Sequence, residues 1–140
     1  MRAKTFEQGV HPPGHKSRSK DRPIERIALP PEVTIPLSQH TGAPSRPLVS
    51  KKDTVEEGQL IGEQAAFIGA PIHSSVAGTV AAVQMHPHPA LGQTPAVRIK
   101  VDKEQARKEW PETGRKLADL SPDDIRTIVK EAGIVGMGGA

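Results

Sequence analysis

Residues 97–101, Val-Arg-Ile-Lys-Val, are the stretch that decides the fold class of this 140-residue chain. Three β-branched residues alternate with two cations, and this period of two predicts a half-buried β-strand. Other short apolar segments precede it, each interrupted or ended by glycine, proline or a charged turn. Together they predict a mainly β fold, a small sandwich or barrel over residues 30–102. The other strand-like segments are 33–37, 48–49, 60–61, 67–68 and 76–83.

The composition fits such a domain. Aromatic residues make up only 2% of the chain, so we expect a core of valine, isoleucine, leucine and alanine. Fourteen prolines and thirteen glycines indicate many turns and short strands. The absence of cysteine removes disulfides, thiolate catalysis and cysteine-held zinc or iron–sulfur clusters from these residues.

Turn-forming residues are dense between the last two predicted strands. Because proline removes a backbone donor and glycine favours turns, we expect a long loop there. His86 and His88 fall in it and read as surface residues. The turn formers are Pro87, Pro89, Gly92 and Pro95.

The first 29 residues predict an extended, basic arm. Residues 1–22 hold six cations against two carboxylates, a net charge of +4. Such an arm suits nucleic acid or an anionic lipid surface, or it packs on a neighbouring protein. Aromatic residues are too scarce for a base-stacking platform, so we expect no nucleic-acid partner. No apolar run approaches the roughly 18 residues of a membrane-spanning helix, so no transmembrane segment is predicted.

The strongest helix signal lies near the end of the chain, after a predicted linker over 103–120. Ser121 suits the N-cap and Pro122 the first helical position. An apolar stripe follows at i, i+3, i+4 and i+7, and Gly133 is placed to end the helix. The stripe consists of Ile125, Ile128, Val129 and Ala132.

A glycine-rich segment, Gly-Ile-Val-Gly-Met-Gly-Gly-Ala over residues 133–140, follows this helix. Glycines let the backbone approach a ligand closely, and such loops often cradle phosphate through their N–H groups. The residues alone therefore predict a candidate phosphate-binding loop after the helix. The alternative is a plain end to the helix. We assign no catalytic residue and no metal ligand.

The central block resembles the biotinyl/lipoyl carrier domain, the barrel-sandwich hybrid. Residues 55–62, Val-Glu-Glu-Gly-Gln-Leu-Ile-Gly, look like its glycine–glutamine turn into a strand, and 70–72 with 76–80 look like its returning half. In a carrier, the hairpin between these halves displays a lysine that is acylated. Residues 63–69 contain no lysine, so a structural module is expected here and not a swinging arm.

A second resemblance covers nearly the whole chain. It rests on four ordered blocks, namely 9–16 (GVHPPGHK), 36–44 (PLSQHTGAP), 70–80 (APIHSSVAGTV) and 133–140 (GIVGMGGA). Together these blocks are similar to the N-terminal part of the RnfC family, which belongs to the Rnf electron-transport complex, the ion-translocating ferredoxin:NAD⁺ oxidoreductase. Lys52 stands where this family often has a turn glycine, so that turn is expected either to differ in shape or to carry mild strain.

The resemblance implies a peripheral subunit on the cytoplasmic face of a membrane complex, in contact with other subunits. It implies FMN and NAD(H) as cofactors, with Gly136, Gly138 and Gly139 as the cofactor-binding residues, because they match the family's flavin-and-nucleotide loop. By the same resemblance, residues 121–140 are the start of an α/β nucleotide-binding domain. It also implies [4Fe–4S] clusters in a later cysteine-rich region, with hydride passing between NAD(H) and FMN and electrons then passing singly through the clusters. The fragment alone would not transfer electrons. The alternative function is a docking module without redox chemistry.

Overall fold

The computed structural model describes residues 13–25, 27–104 and 116–136. The described residues form seven β-strands and one α-helix, so the fold is mainly β as predicted. Two short 3₁₀ helices, Lys16–Arg18 and Leu117–Asp119, lie outside the sheets. The strands are β1 (Glu32–Pro36), β2 (Arg46–Pro47), β3 (Thr54–Val55), β4 (Leu60–Glu63), β5 (Ile72–His73), β6 (Gly78–His88) and β7 (Gly92–Val101), and the helix is α1 (Pro122–Glu131).

The strands form two antiparallel sheets. The larger has the order β1-β7-β6-β3, and the smaller has the order β2-β4-β5. Strand β7 is central in the larger sheet, where Val33 pairs with Ile99 and Ile35 with Val97. This confirms the strand predicted from the alternation at 97–101.

The core lies between the two sheets and is aliphatic. Ile61 from the small sheet and Ile99 from the large sheet are both fully buried, together with Leu37. Burial of each such side chain contributes roughly 1.5–3 kcal/mol. No aromatic residue belongs to the cluster, as the composition predicts. Its other members are Ile35, Val49, Val55, Ile72, Val76, Val80 and Val97.

The predicted long loop before the last strand is wrong. Strands β6 and β7 instead form one long hairpin whose pairing runs from Gly78 with Val101 to His88 with Gly92. Pro95 is tolerated because its carbonyl accepts from Leu37 on the β1 side. Because the N–H and C=O of one residue point to the same side of a strand, the N–H that proline lacks would also face β1 and not β6. His86 and His88 lie on this ribbon and not in a loop.

The segment at 67–68 is not a strand, which corrects a second expectation. The side-chain amide of Gln64 donates to the carbonyls of Ala66 (2.6 Å) and Phe67 (2.8 Å) and holds a compact loop between β4 and β5. Phe67 is 96% exposed and Ile68 is 69% exposed. An ordered loop thus displays two apolar side chains.

Lys52 adopts the backbone conformation that a glycine would have in this turn. Of the two expectations for Lys52, the structure therefore supports a strained turn and not one of different shape. Lys52 has a φ of 82°, in the left-handed region that side chains disfavour by roughly 1–2 kcal/mol. Its N–H donates to the carbonyl of Val80 at 2.8 Å, so the turn is attached to β6.

Helix α1 matches its sequence signals. Ser121 and Asp124 form a capping box, in which the Asp124 N–H donates to the Ser121 hydroxyl (3.2 Å) and the Ser121 N–H donates to the carboxylate (2.9 Å). The Ser121 hydroxyl also donates to the Asp124 carboxylate at 2.6 Å, and this bond, together with the one from the Ser121 N–H, lowers the pKa of the Asp124 carboxyl below its ordinary value of 3.8. The helix ends at Glu131, close to the predicted Gly133.

The described part of the N-terminal segment, residues 13–25 and 27–29, is exposed and carries only the one short 3₁₀ turn. Most of the predicted linker, residues 105–115, lies outside the described residues. The proposed division into an arm, a barrel, a linker and a second domain therefore stays a prediction.

Candidate functional site

The end of α1 contacts the small sheet at a glycine. Gly133 has a φ of 69°, and it closes a Schellman motif in which its N–H donates to Lys130 and the Ile134 N–H donates to Val129. A Cβ atom at position 133 would overlap the carbonyl oxygen of Pro71, just before β5. Only glycine therefore allows the helix to end in this conformation and at this distance from the sheet.

A cleft of about 180 Å³ opens where these elements meet. His40, from the connection between β1 and β2, forms one wall, and Pro71 and His73 form another. Gly133 and Val135 close the cleft from the end of α1. The volume is several times the ~30 Å³ that one water molecule occupies in the liquid, so the cleft has room for a larger group. None of the described residues that line it carries a carboxylate.

His40 is held in one orientation by a backbone donor. The Gly42 N–H donates to Nδ1 of His40 at 2.8 Å, so the ring is neutral and its proton is on Nε2. Gly42 is itself packed tightly, because a Cβ atom there would overlap the carbonyl oxygen of Ile68. Nε2 of His40 is buried and has no hydrogen-bond partner among the residues that the structure describes. An unsatisfied buried donor costs about 1–3 kcal/mol, so an acceptor bound at Nε2 would remove this cost.

His73 reaches the same cleft from β5. Its Nδ1 lies 3.7 Å from the position that a Cβ atom would take on Gly133. A second cavity, of about 510 Å³, shares His73 and Ala132 with this cleft and is lined also by Glu57. The neighbouring Ser74 is buried, and its hydroxyl donates to the carbonyl of Val76 at 2.6 Å. That hydroxyl therefore serves the turn and is not paired with His73 as a nucleophile.

Of the three candidate glycines, Gly136 is described and exposed, three residues beyond the contact at Gly133. Gly138 and Gly139 lie outside the described residues. Their assignment as cofactor-binding residues stays a prediction. Neither His40 nor His73 was predicted as a ligand-site residue, since the two are 33 positions apart and no local pattern joins them to each other or to the end of α1.

Neither a metal site nor a membrane-spanning helix is found among the described residues. No group of three or more histidine, cysteine, aspartate or glutamate side chains among them is arranged to hold a metal ion. None of the helices in the described ranges is long and apolar enough to cross a membrane.

Comparison with known proteins gives the family. Residues 4–104 match the family described as the RnfC barrel sandwich hybrid domain. The chain is 43% identical over 140 residues to the C subunit of the proton-translocating ferredoxin:NAD(+) oxidoreductase complex of Clostridium ljungdahlii, covering 98% of this chain and 30% of the relative. It is 40% identical to the Na(+)-translocating counterpart of Acetobacterium woodii, covering 97% of this chain and 31% of that relative.

A third relative, the C subunit of the ion-translocating oxidoreductase complex of Rhodobacter capsulatus, is 37% identical over 94% of this chain and 26% of its own length. The chain thus spans about 30% of the length of the first two relatives. The family match confirms the predicted barrel-sandwich hybrid and extends over most of the described strands. This chain belongs to the RnfC barrel-sandwich hybrid family and is homologous to the N-terminus of the RnfC subunits of ion-translocating ferredoxin:NAD⁺ oxidoreductases.

Proposed function

We propose that this chain is the N-terminal part of a subunit that moves electrons between NAD(H) and ferredoxin, coupled to ion translocation. Its barrel would hold the end of α1 so that the following glycine-rich segment forms one edge of an FMN and NAD(H) site. The observation that carries the proposal is the contact between Gly133 and Pro71, which joins the barrel to the first residue of that segment.

The residues in the cleft fit such a ligand in two respects. Gly136 follows directly on the cleft residue Val135, so a ligand resting on the segment would lie beside it. The unsatisfied Nε2 of His40 offers a donor, and phosphate groups are acceptors. When bound, FMN and NAD(H) supply the hydride and electron chemistry, while this chain would bind and orient them.

Other parts of the proposal concern the longer protein. The chain has no cysteine, so [4Fe–4S] clusters would be held by a later region. The subunit would lie on the cytoplasmic face of the membrane and contact other subunits of the complex. Within it, residues 1–29 would form an arm, 30–102 the barrel, 103–120 a linker and 121–140 the start of the nucleotide-binding domain.

The redox role is tested on the gene and on its product. We expect the reading frame to continue beyond the Ala140 codon into repeated Cys-x-x-Cys-x-x-Cys runs. We also expect the purified product to carry a flavin whose absorbance bleaches when NADH is added. A stop codon after Ala140, or a full-length product that never binds flavin, would contradict the redox role.

A second candidate function, a docking module without redox chemistry, is favoured by Phe67 and Ile68. These side chains are exposed on a loop that Gln64 already holds in place, so little conformational entropy is lost when they bind. Because the relatives are named as members of a complex, we propose an apolar pocket on another subunit as their partner.

The docking role is tested by co-purification. Phe67→Ser should reduce recovery of the other subunits with this protein. The matched control is Leu91→Ser, which removes another apolar side chain, 56% exposed, from the tip of the β6–β7 hairpin. Equal recovery with both variants would contradict docking through this loop.

A further inference from the structure

We propose that the cleft between His40 and His73 is a phosphoryl-binding site, in which His40 donates through Nε2 and His73 through its ring. This inference rests on the proposed function and adds barrel residues to the ligand site. The phosphoryl group would be that of a flavin or nicotinamide nucleotide, or free phosphate.

First, Nε2 of His40 is a buried donor that lacks an acceptor among the described residues. The Gly42 N–H fixes the tautomer of His40, so Nε2 carries a proton and can only donate. A buried donor without a partner is costly, and an acceptor oxygen removes that cost. A hydrogen bond to a charged oxygen is roughly twice as strong as one between neutral groups, so an anion suits this position.

The second argument is the composition of the walls. The described residues that line the cleft include two imidazoles and no carboxylate, which disfavours Mg²⁺ or Ca²⁺ because these cations prefer oxygen ligands. No described group of three or more possible metal ligands is present to hold another metal ion. The C-terminal end of a helix would normally repel an anion. Here the Schellman motif already satisfies the carbonyls of Lys130 and Val129, so it does not leave them as free acceptors facing the ligand. Glu57 lines the second cavity and does not line this cleft.

The third argument concerns access. Nε2 of His40 is shielded in this conformation, so an acceptor reaches it only after the ring or a group that covers it moves. The end of α1 is the candidate for this movement, because Gly133 and Val135 line the same cleft as His40. The wall formed by Val135 belongs to the segment that leads into the proposed loop. Entry of the phosphoryl group would therefore shift Val135 and set the position of the glycines that follow. Ligand binding and loop position would be coupled through this one residue.

Histidine side-chain NMR on the full-length protein tests the site directly. Nitrogen-15 histidine spectra should show the Nε2-protonated tautomer for His40. Separate additions of inorganic phosphate, FMN and NADH should shift the His40 and His73 signals together. His86 and His88, on the distant hairpin, serve as internal controls and should not move. A response to inorganic phosphate indicates a site for free phosphate, and a response to FMN or NADH alone indicates the nucleotide phosphate.

Two variants of His40 distinguish loss of the Nε2 donor from loss of the Nδ1 acceptor that holds the turn at Gly42. His40→Asn keeps an acceptor for the Gly42 N–H but removes the Nε2 donor, and should weaken binding of the responding ligand by about tenfold or more. His40→Gln keeps a donor near the Nε2 position and should retain more affinity. His88→Asn is the matched control and should bind as the wild type does.

The failure of this inference differs from failure of the proposed function. If FMN binds but leaves the His40 and His73 signals unchanged, and binds His40→Asn equally well, the cleft is not the phosphoryl site although the redox role stands. If none of the three ligands shifts the two histidines, the inference is overturned. The absence of any flavin or nucleotide binding would count against the proposed function itself.

Discussion

The carbonyl oxygen of Pro71 lies so close to Gly133 that a Cβ atom on Gly133 would overlap it. This contact joins the edge of the small sheet to the end of α1, over a sequence separation of 62 residues. Because Gly133 also has a positive φ, the position excludes other residues for two independent reasons. The barrel therefore fixes where the glycine-rich segment begins.

Gly133→Ala should release α1 from the barrel. The added methyl group would meet the Pro71 carbonyl, and alanine is strained at this φ, with a combined cost of about 2 kcal/mol or more. Hydrogen exchange of residues 122–136 should accelerate by at least about tenfold, with the core strands unaffected. Gly14→Ala is the control, since its Cβ would have only the Lys16 side chain nearby, at 3.7 Å. Equal exchange in both variants would show that the contact does not hold the helix.

Gly78→Ala should destabilise the barrel itself. A Cβ atom there would overlap the carbonyl oxygen of Lys100 on β7, in the middle of the sheet. Separation of the two strands should lower the free energy of unfolding by about 2–3 kcal/mol in urea. Gly92→Ala, at the open tip of the hairpin, meets no atom and suffers only its φ of 71°, so about 1 kcal/mol is expected. A smaller loss at Gly78 than at Gly92 would contradict the close packing of β6 on β7.

Lys52→Gly should stabilise the protein. Relief of the left-handed strain at 82° outweighs the greater chain entropy of glycine when unfolded, leaving a gain of about 0.5–1 kcal/mol. Thermal unfolding measures it. Lys51 is next to it in the same turn but has no positive φ. Lys51→Gly should therefore lower the stability of the protein by about 0.5–1 kcal/mol. If the two variants shift the melting temperature in the same direction, the turn is not strained at Lys52.

Helix α1 should loosen in acid. Hydrogen bonds from Ser121 lower the pKa of Asp124 in the folded state, so the ionised carboxylate stabilises the helix above the ordinary value of 3.8. That stabilisation is lost as the pH falls through the lower folded pKa. Asp124→Asn should already lack it at neutral pH and show a flatter pH profile of exchange in residues 122–131. Asp123→Asn keeps the capping box and should follow the wild type; a flat profile there too would contradict this assignment.

Local signals predicted the local structure well. The cap at Ser121 and the ending at Gly133 depend on neighbours within one helix, and the alternation at 97–101 reports one sheet face directly. The density of proline and glycine predicted a loop in place of the long hairpin, but a proline is compatible with a strand where its missing donor is not needed, and Pro95 lacks a donor only on the side away from β6. The strained turn at Lys52 was foreseen only from the family resemblance.

The candidate site was predicted in part. The glycine segment was identified from its composition, but the histidines beside it were not. His40 and His73 approach the end of α1 only because two sheets and a helix end converge, which no periodicity encodes. The unsatisfied Nε2 becomes visible only when the Gly42 N–H is seen to occupy the other ring nitrogen.

We propose that the glycine-rich segment after α1 binds a flavin phosphate. Titration of the flavin-free full-length protein with FMN, followed by flavin fluorescence, tests this most directly when the wild type is compared with Gly138→Val and with Gly14→Val. We expect saturable binding to the wild type and to Gly14→Val, and at least about tenfold weaker binding to Gly138→Val, because a side chain would keep the backbone from the phosphate. Equal FMN affinity in all three proteins would contradict the claim.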